Sequence, residues 1–406
     1  MKILLVHKFH HVTGGAEVFF FETSRILEST GHSVAHFSTV DGRNLPSPFS
    51  MYFASPPVFR SGSVFQRFAS IKRIVYSHEA KNKIRKLIAD FKPDIVHVFA
   101  IFTHLTPSVL YACREAGVPV VFSCNDYKHI CPNYKMFHHG RICDDCKNGK
   151  FHNAIRNKCC HESITYSVAS CIESVVHHSF DMLRKNVHTF LFASNFMAKK
   201  TEQFWGKDTF RWKKLLNPFD STRFPICSEY GDYLLFFGRF VDEKGVDILL
   251  RAMQLVPEAR LIAVGDGPQN DKLLALAGRL GLNNVEFMGP LWGEDLDTMI
   301  KRARFVVIPS IWHENFPYVI VQSFAIGKAV IGTDRGGIPE LITDSHNGFI
   351  YPAHDQKGLA EKIRILWNDP ALAVSMGINA KKFADETFND TKFYSTLMDI
   401  YKDVLG

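Results

Sequence analysis

No run in this chain of 406 residues approaches the roughly 20 consecutive apolar residues that span a bilayer. The start, Met1-Lys2-Ile3-Leu4-Leu5-Val6-His7-Lys8, is apolar only from Ile3 to Val6 before His and Lys intervene. That length suits a buried strand and is too short for a secretory signal, so a cytoplasmic location is expected. No segment is of low complexity, and no base-reading motif accompanies the basic residues, which argues against nucleic acid as a partner. Charged residues make up 22% and hydrophobic residues 46%, ordinary values for a soluble globular protein.

What is present is enough chain for two domains. The net charge of +7 is concentrated. Residues 58–92 hold nine Lys or Arg against Glu79 and Asp90, and the remainder balances at 39 of each sign. Phe59, Phe65, Phe68, Ile71, Ile74, Val75, Ile84 and Leu87 are interleaved. Such a segment suits peripheral attachment to an anionic membrane surface on its inner face, or simply a solvated helix face.

The pattern along the chain alternates short apolar strands with amphipathic helices. Ile3–Val6, Val34–Ser38, Asp94–Val98 and Pro119–Ser123 read as strands in the first half. Tyr233–Phe237, Arg260–Val264, Val285–Phe287, Phe305–Pro309 and Ala329–Gly332 do so in the second. Strands of this kind separated by helices imply α/β architecture with parallel sheets wound on both faces. The phrases Glu115-Ala116-Gly117-Val118-Pro119-Val120-Val121 and Ala325-Ile326-Gly327-Lys328-Ala329-Val330-Ile331 rhyme, as expected of two similar doubly wound domains. Pro218 marks the boundary. The expected division is residues 1–216 with a Cys-rich insertion at about 131–161, residues 217–384, and a final helix over 385–406.

The most informative stretch is Trp312-His313-Glu314-Asn315-Phe316-Pro317, between the strand at Phe305 and an apolar helix. The amide groups and dipole of a helix start favour an anion. A carboxylate at the same place repels phosphate and instead accepts hydrogen bonds from hydroxyls. Phosphate and hydroxyls together describe a nucleotide-sugar. Ligands of open parallel sheets bind beyond the carboxyl ends of the strands. Gly14-Gly15, past the first strand, and Gly265-Asp266-Gly267-Pro268 lie at such ends, where they are phosphate-approach loops or plain tight turns.

Glu314, seven residues, then Gln322 resembles the E-x7-E signature of retaining glycosyltransferases of family four, which have the GT-B fold. Pro309-Ser310, Glu314-Asn315-Phe316-Pro317, Gly327 and Gly336-Gly337-Ile338-Pro339-Glu340 fit the same family, and the resemblance extends over nearly the whole chain. It implies two Rossmann-like domains facing a cleft, with the last helix packing back on the first domain. Gly238-Arg239, four residues, then Lys244-Gly245 resembles the family's diphosphate clamp. By that resemblance Arg239, Lys244 and Glu314 are the catalytic candidates. Two fixed cations stabilise a departing nucleoside diphosphate. They can replace a divalent metal, and no Asp-x-Asp pair sits at a strand end to hold one, so no catalytic cofactor is expected. Gly14, Gly15, Asn125, Gly238, Gly265, Gly267, Asn315, Phe316, Pro317, Tyr318 and Gln322 are donor-binding candidates, for a UDP- or GDP-sugar. The implied acceptor is a saccharide or lipid-linked hydroxyl in cell-surface glycan assembly. A nucleotide-sugar epimerase or hydrolase, and a non-catalytic nucleotide-sugar binder, are the alternatives.

Two departures stand out. Gln322 replaces the second Glu of the signature, keeping an acceptor oxygen and losing the charge. In Ser123-Cys124-Asn125-Asp126-Tyr127, Asn125 stands where the family places a His. Asp126 is a substitute polar contact on the acceptor side. His97 and His104 either line that side or are satisfied structural histidines. Five cysteines fall close together: Cys131, Cys143, Cys146, Cys159 and Cys160. Cys143-x-x-Cys146 with Cys131 and Cys159 or Cys160 has the spacing of a structural zinc site. Buried thiols or a labile disulfide are the other readings.

Overall fold

The computed structural model describes residues 1–57, 72–227 and 231–406. Residues 58–71, the first part of the basic segment, therefore lie outside the described residues. The chain divides into two compact units. One comprises Met1–Met136, Cys143–Pro218 and Phe393–Gly406, and the other Phe137–Ile142 and Phe219–Lys392.

The strands in chain order are β1 Lys2–Val6, β2 Ser33–Phe37, β3 Ile95–Val98, β4 Val120–Cys124, the short pair β5 Phe137–His138 and β6 Arg141–Ile142, then β7 Thr189–Phe192, β8 Trp212–Lys214, β9 Leu234–Phe237, β10 Leu261–Val264, β11 Val285–Met288, β12 Val306–Ile308, β13 Val330–Thr333 and β14 Gly348–Tyr351. The first unit holds a six-stranded sheet ordered β2-β1-β3-β4-β7-β8, parallel throughout. The second holds a six-stranded sheet ordered β11-β10-β9-β12-β13-β14, also parallel. This is the doubly wound α/β architecture that the apolar strand runs predict.

The reason is visible in β1. Leu4 and Val6 pack into one apolar cluster of the first unit, with Phe37, Val96 and Val98. Ile3 and Leu5 point the other way, into a second cluster with Phe19, Phe20, Ile95 and Val121. Side chains alternate along a strand, so a sheet covered on both faces needs apolar residues at every position. The second cluster also takes in Phe393, Leu397, Ile400 and Tyr401 from the last helix. In the second unit Leu234, Phe236, Leu261, Ala263, Val307 and Ile331 form one continuous core.

The basic segment behaves differently from a membrane-binding helix where it is described. Helix His78–Phe91 starts at Ser77, whose side chain accepts from the Ala80 amide, and ends at Lys92 in the left-handed region. Its apolar face, Ala80, Ile84, Leu87 and Ile88, is buried in the first unit's core. Arg73 pairs with Glu79 at 2.7 Å and Lys81 with Glu115 at 2.6 Å. The stripe that would face lipid is thus already used for folding, which favours the solvated-face reading for this part. No described helix is long and apolar enough to cross a membrane.

The final helix is shorter than the pattern suggests. It runs Asp390–Leu405, and the preceding helix, Pro370–Thr387, contains Asp385. Phe388 interrupts them because its ring is buried against Phe316 and Phe383 in the second unit. Asn389 then accepts from the Lys392 amide and restarts the helix.

Candidate active site

Both sheets change direction beside their first strand. In the second unit the chain runs from β9 outward to β10 and β11, then returns to β12 on the other side of β9. The carboxyl ends of β9 and β12 therefore form a topological switch point, the ordinary ligand position of an open parallel sheet. Arg239 and the turn Asp242–Lys244 follow β9, and Ser310 and Glu314 follow β12. The structure brings Lys244 and Glu314 together: Lys244 Nζ lies 2.6 Å from Glu314 Oε1. Ser310 Oγ donates to the same oxygen at 2.7 Å. The Lys244 ammonium also sits over the Trp312 ring, 5.8 Å from its centroid.

Glu314 is 4% exposed. Burial alone would push its carboxyl up. The charge of Lys244 and the hydrogen bonds from Lys244 and Ser310 outweigh that effect and hold it below the usual carboxylate range. The pair is a buried carboxylate neutralised by a lysine whose side chain keeps 26% of its surface. Arg239 is different. It is exposed and, among the described residues, makes no ion pair with Asp242 or Glu243.

The backbone is shaped to hold Glu314 in place. Gly336, after β13, adopts φ +59° and approaches so closely that a Cβ there would lie 2.2 Å from the Glu314 carbonyl oxygen. The Gly337 amide donates to that same oxygen at 2.6 Å. Thr333 Oγ1 ties the strand end to the Ser310 carbonyl at 2.7 Å. Gly265, at the end of β10, backs onto Gly238 in the same way, with φ +150° and a Cβ position 1.9 Å from the Gly238 carbonyl oxygen. Gly267 follows it along the same turn. These glycines pack backbone against backbone around β9.

Helix Tyr318–Ile326 begins immediately after the Glu314 loop, with Pro317 in extended conformation at its cap position. Its first amides lack intrahelical partners by construction. Asn315 is buried, Phe316 packs edge-on against Tyr318 at 5.1 Å, and Gln322 is half-buried one turn into the helix.

The first unit has its own switch point between β1 and β3. Gly14 and Gly15 are exposed at the start of helix Gly15–Ser29. Asn125 and Asp126 follow β4, both half-buried. Burial raises the Asp126 carboxyl, and the Lys8 charge opposes it. His104 is held down to about 4, first by burial and then by Lys8. Its ring meets Phe9 edge-on at 5.1 Å, and Lys8 lies over Phe9 at 5.2 Å. Lys8 thus joins His104 and Asp126 in one cluster. No motif in the sequence marks Lys8, although it stands two residues past the end of β1 as Arg239 stands two residues past the end of β9.

His97 does not belong to that cluster. It is 0% exposed and stacked on Phe99 at 4.2 Å. Its ring nitrogens lie 2.8 Å from Tyr401 Oη and 2.8 Å from Ser123 Oγ. It is a satisfied core histidine, and the acceptor-side reading does not extend to it.

Comparison with known proteins agrees with this arrangement. A family model described as "Glycosyl transferases group 1" matches residues 227–383, and one described as "Glycosyltransferase Family 4" matches residues 13–157. An uncharacterised glycosyltransferase of Methanocaldococcus jannaschii is 31% identical over 181 residues, 44% of this chain and 51% of that protein. A D-inositol 3-phosphate glycosyltransferase of Streptomyces avermitilis is 33% identical over 181 residues, 41% of this chain and 39% of that protein. The chain thus spans about half or less of the length of these two relatives. A 42.6 kDa protein of the Klebsiella pneumoniae cps region is 26% identical over 355 residues, 84% of this chain and 87% of that protein. Among solved structures, the sucrose-phosphate synthase of Thermosynechococcus elongatus superposes with a TM-score of 0.70 at 16% identity, covering 99% of this chain and 98% of that one. Anabaena HepE in complex with UDP gives 0.70 at 18% identity, covering 99% and 100%. At such identities the likeness establishes the GT-B fold.

Proposed function

We propose that this chain, a member of glycosyltransferase family four, transfers a sugar from a nucleotide-sugar donor to an acceptor hydroxyl with retention of configuration. The observation that carries this reading is the Lys244–Glu314 pair at the β9–β12 switch point, beside a helix N-terminus, with Arg239 exposed just past the end of β9. Two cations and a set of helix amides suit a diphosphate, and a carboxylate suits the sugar hydroxyls.

In the reaction the bond between the sugar carbon and the diphosphate breaks, and negative charge grows on the leaving oxygen. Arg239 and Lys244 meet that charge, so they stabilise the transition state more than the bound donor. They supply positive charge without a divalent ion, which supports metal-independent chemistry. Glu314 orients the sugar through its hydroxyls, and Ser310 fixes the carboxylate from behind. Asn125 can donate and accept hydrogen bonds but cannot shuttle a proton. Transfer on one face of the sugar meets that limit, because the leaving phosphate oxygen can take the acceptor's proton. UDP is the favoured leaving nucleotide, on the strength of the fold shared with UDP-bound HepE. Likeness to a protein of the cps region supports a saccharide acceptor in surface-glycan assembly.

The test is a nucleoside diphosphate release assay across common UDP- and GDP-sugars, with and without membrane lipid extract, followed by mass detection of product. Release that requires acceptor supports transfer, and the product's anomeric configuration decides retention. Acceptor-independent release means hydrolysis or epimerisation. Donor binding without turnover means a non-catalytic binder.

A further inference from the structure

Helix Ile164–Ser179 of the first unit is turned inside out relative to an ordinary surface helix. Its buried positions are Ser167, Cys171, Glu173 and His177. The polar ones are held inside. Ser167 Oγ accepts from the Cys160 amide at 3.1 Å, His177 Nε2 lies 2.8 Å from the Val75 carbonyl oxygen, and Glu173 pairs with Lys128 at 2.8 Å. Outward the helix presents Ile164, Val168, Ile172, Val175 and Val176, whose spacing of three and four places them on one face. Ile164 is 55% exposed, Ile172 38% and Val175 41%, while Val168 and Val176 are half-buried between them. Phe180, just past the end, is 64% exposed. Glu173 is the helix's one Asp, Glu, Lys or Arg, so none of these faces solvent from it. From Ile164 to Val176 the apolar stripe runs about 18 Å, at about 1.5 Å per residue.

A row of cations lies along this stripe. The preceding segment runs back beside the helix in the opposite direction. Gly149 adjoins His178, where a Cβ would lie 3.6 Å from His178 Cε1, and Phe151 meets the same ring edge-on at 5.6 Å. Ala154 shares an apolar cluster with Cys171, and the Cys160 amide reaches Ser167. Lys150, Arg156 and Lys158 are therefore spread from one end of the helix towards the other. All three are exposed, and none pairs with a carboxylate among the described residues. Residues 147–161 hold four Lys or Arg and no Asp or Glu. Glu162, at the turn into the helix, is the acid that stands against them.

We propose that the outer face of helix Ile164–Ser179, with Lys150, Arg156 and Lys158 at its edge, docks this chain on an anionic bilayer. The stripe enters the boundary between headgroups and acyl chains, and the cations meet the lipid phosphates. The long Lys and Arg stems let those charges stay at headgroup level while Ile and Val go deeper. Helix His78–Phe91 shows the opposite arrangement, because its apolar side is already used by the core. A second copy of the chain fits this face poorly, since it would set like charges against each other. A protein partner would need groups that fix its register, and Thr165 and Ser179 aside the stripe is aliphatic. A bilayer asks only for apolar side chains bordered by positive charge. Attachment of this kind is peripheral and reversible, and it does not depend on sugar transfer.

The test is flotation of the full chain with lipid vesicles. Vesicles of phosphatidylcholine with about one third phosphatidylglycerol should carry it, and pure phosphatidylcholine should bind it about ten-fold more weakly or less. Ile172→Asp with Val175→Asp should lower partition by about ten-fold or more. Each change of Lys150, Arg156 or Lys158 to Glu should lower it by about five-fold or more on anionic vesicles. Arg85→Glu with Lys86→Glu, on the helix whose apolar side is buried, should leave it unchanged. Circular dichroism checks that each variant is folded. Should the double Asp variant unfold, Ile172→Trp decides instead: brominated acyl chains should quench its fluorescence beyond that of the wild type. Folded wild type that ignores anionic vesicles overturns the proposal. So does equal partition into neutral and anionic vesicles, undiminished binding by the folded Asp variant, or no added quenching in Ile172→Trp. A wild-type dimer in sedimentation that Ile172→Asp with Val175→Asp splits would give the face to a second copy, which also overturns it. Vesicle binding is read without turnover, so failure here leaves the transfer reaction untouched.

Discussion

Replacing Lys244 by Met should destabilise the protein in a way that depends on pH with a definite sign. Lys244 neutralises a carboxylate that is almost wholly buried, at 2.6 Å. Removing one partner of a buried pair costs about 3–5 kcal/mol because the other charge is stranded. Ser310 still donates to Glu314, and Lys244 is partly exposed, so about 3 kcal/mol at pH 7.5 is expected. The reverse change, Glu314→Gln, should cost less, about 1–2 kcal/mol, because the lysine can turn its head to water.

The pH dependence separates this account from simple loss of packing. In the wild type Glu314 ionises more easily folded than unfolded, so its contribution is present above the unfolded value and lost on acidification. Without Lys244, burial dominates and the folded carboxyl titrates above the unfolded one. Between those values the folded state binds more protons, so acidification now favours it. The gap between wild type and K244M should therefore shrink from pH 7.5 towards pH 5, by up to about 1.4 kcal/mol per unit where Glu314 is protonated only in the folded state. Urea unfolding curves for the transition of the second unit measure it. A constant gap across pH, or a loss below about 0.5 kcal/mol, refutes the reasoning.

Gly336→Ala should destabilise by about 2–4 kcal/mol, because a Cβ would strike the Glu314 backbone and the residue would still need φ +59°; thermal unfolding reads this, and a Tm within a degree of wild type would contradict it. His7, His97 and His129 are each held down to about 3, by burial above all, while their unfolded forms titrate near 6.5. The unfolded state thus binds more protons below about pH 6.5, and the first unit should lose about 1.4 kcal/mol per pH unit for each histidine, about 4 together. Urea midpoints at pH 7 and pH 5 test this, and equal midpoints would exclude it.

Most of the architecture was legible because buried parallel strands admit few polar residues. Val96–Val98 and Leu234–Phe237 could hardly be read otherwise. Gly238-Arg239 and Lys244-Gly245 were singled out through their resemblance to a family clamp, and both follow the end of one strand, β9. The Lys244–Glu314 pair was not, because its members are 70 residues apart and meet only through the strand order β9-β12. His97 looked eligible for a site because its partner Tyr401 lies at the other end of the chain. The break at Phe388 was hidden for the same reason: its cause is a pocket beside Phe316, not a local breaker. Helical periodicity continues smoothly through it.

The two cations of the proposed clamp start from different states, and that difference should separate their kinetic roles. Arg239 is an exposed guanidinium without an ion-pair partner among the described residues, so an incoming diphosphate gains its attraction at once. Lys244 is already satisfied by Glu314. Turning towards phosphate repays it only when the leaving group carries more charge than the resting carboxylate offers, which is late in bond cleavage. Arg239→Ala should therefore raise KM and weaken the salt dependence of kcat/KM, as well as slowing turnover. Lys244→Met should fall mainly on kcat, by about 10²–10³-fold, with KM little changed. Steady-state kinetics at low and high salt distinguish the two. Equal effects of both variants on KM, or wild-type turnover in Arg239→Ala, would mean that the clamp does not work by staged neutralisation.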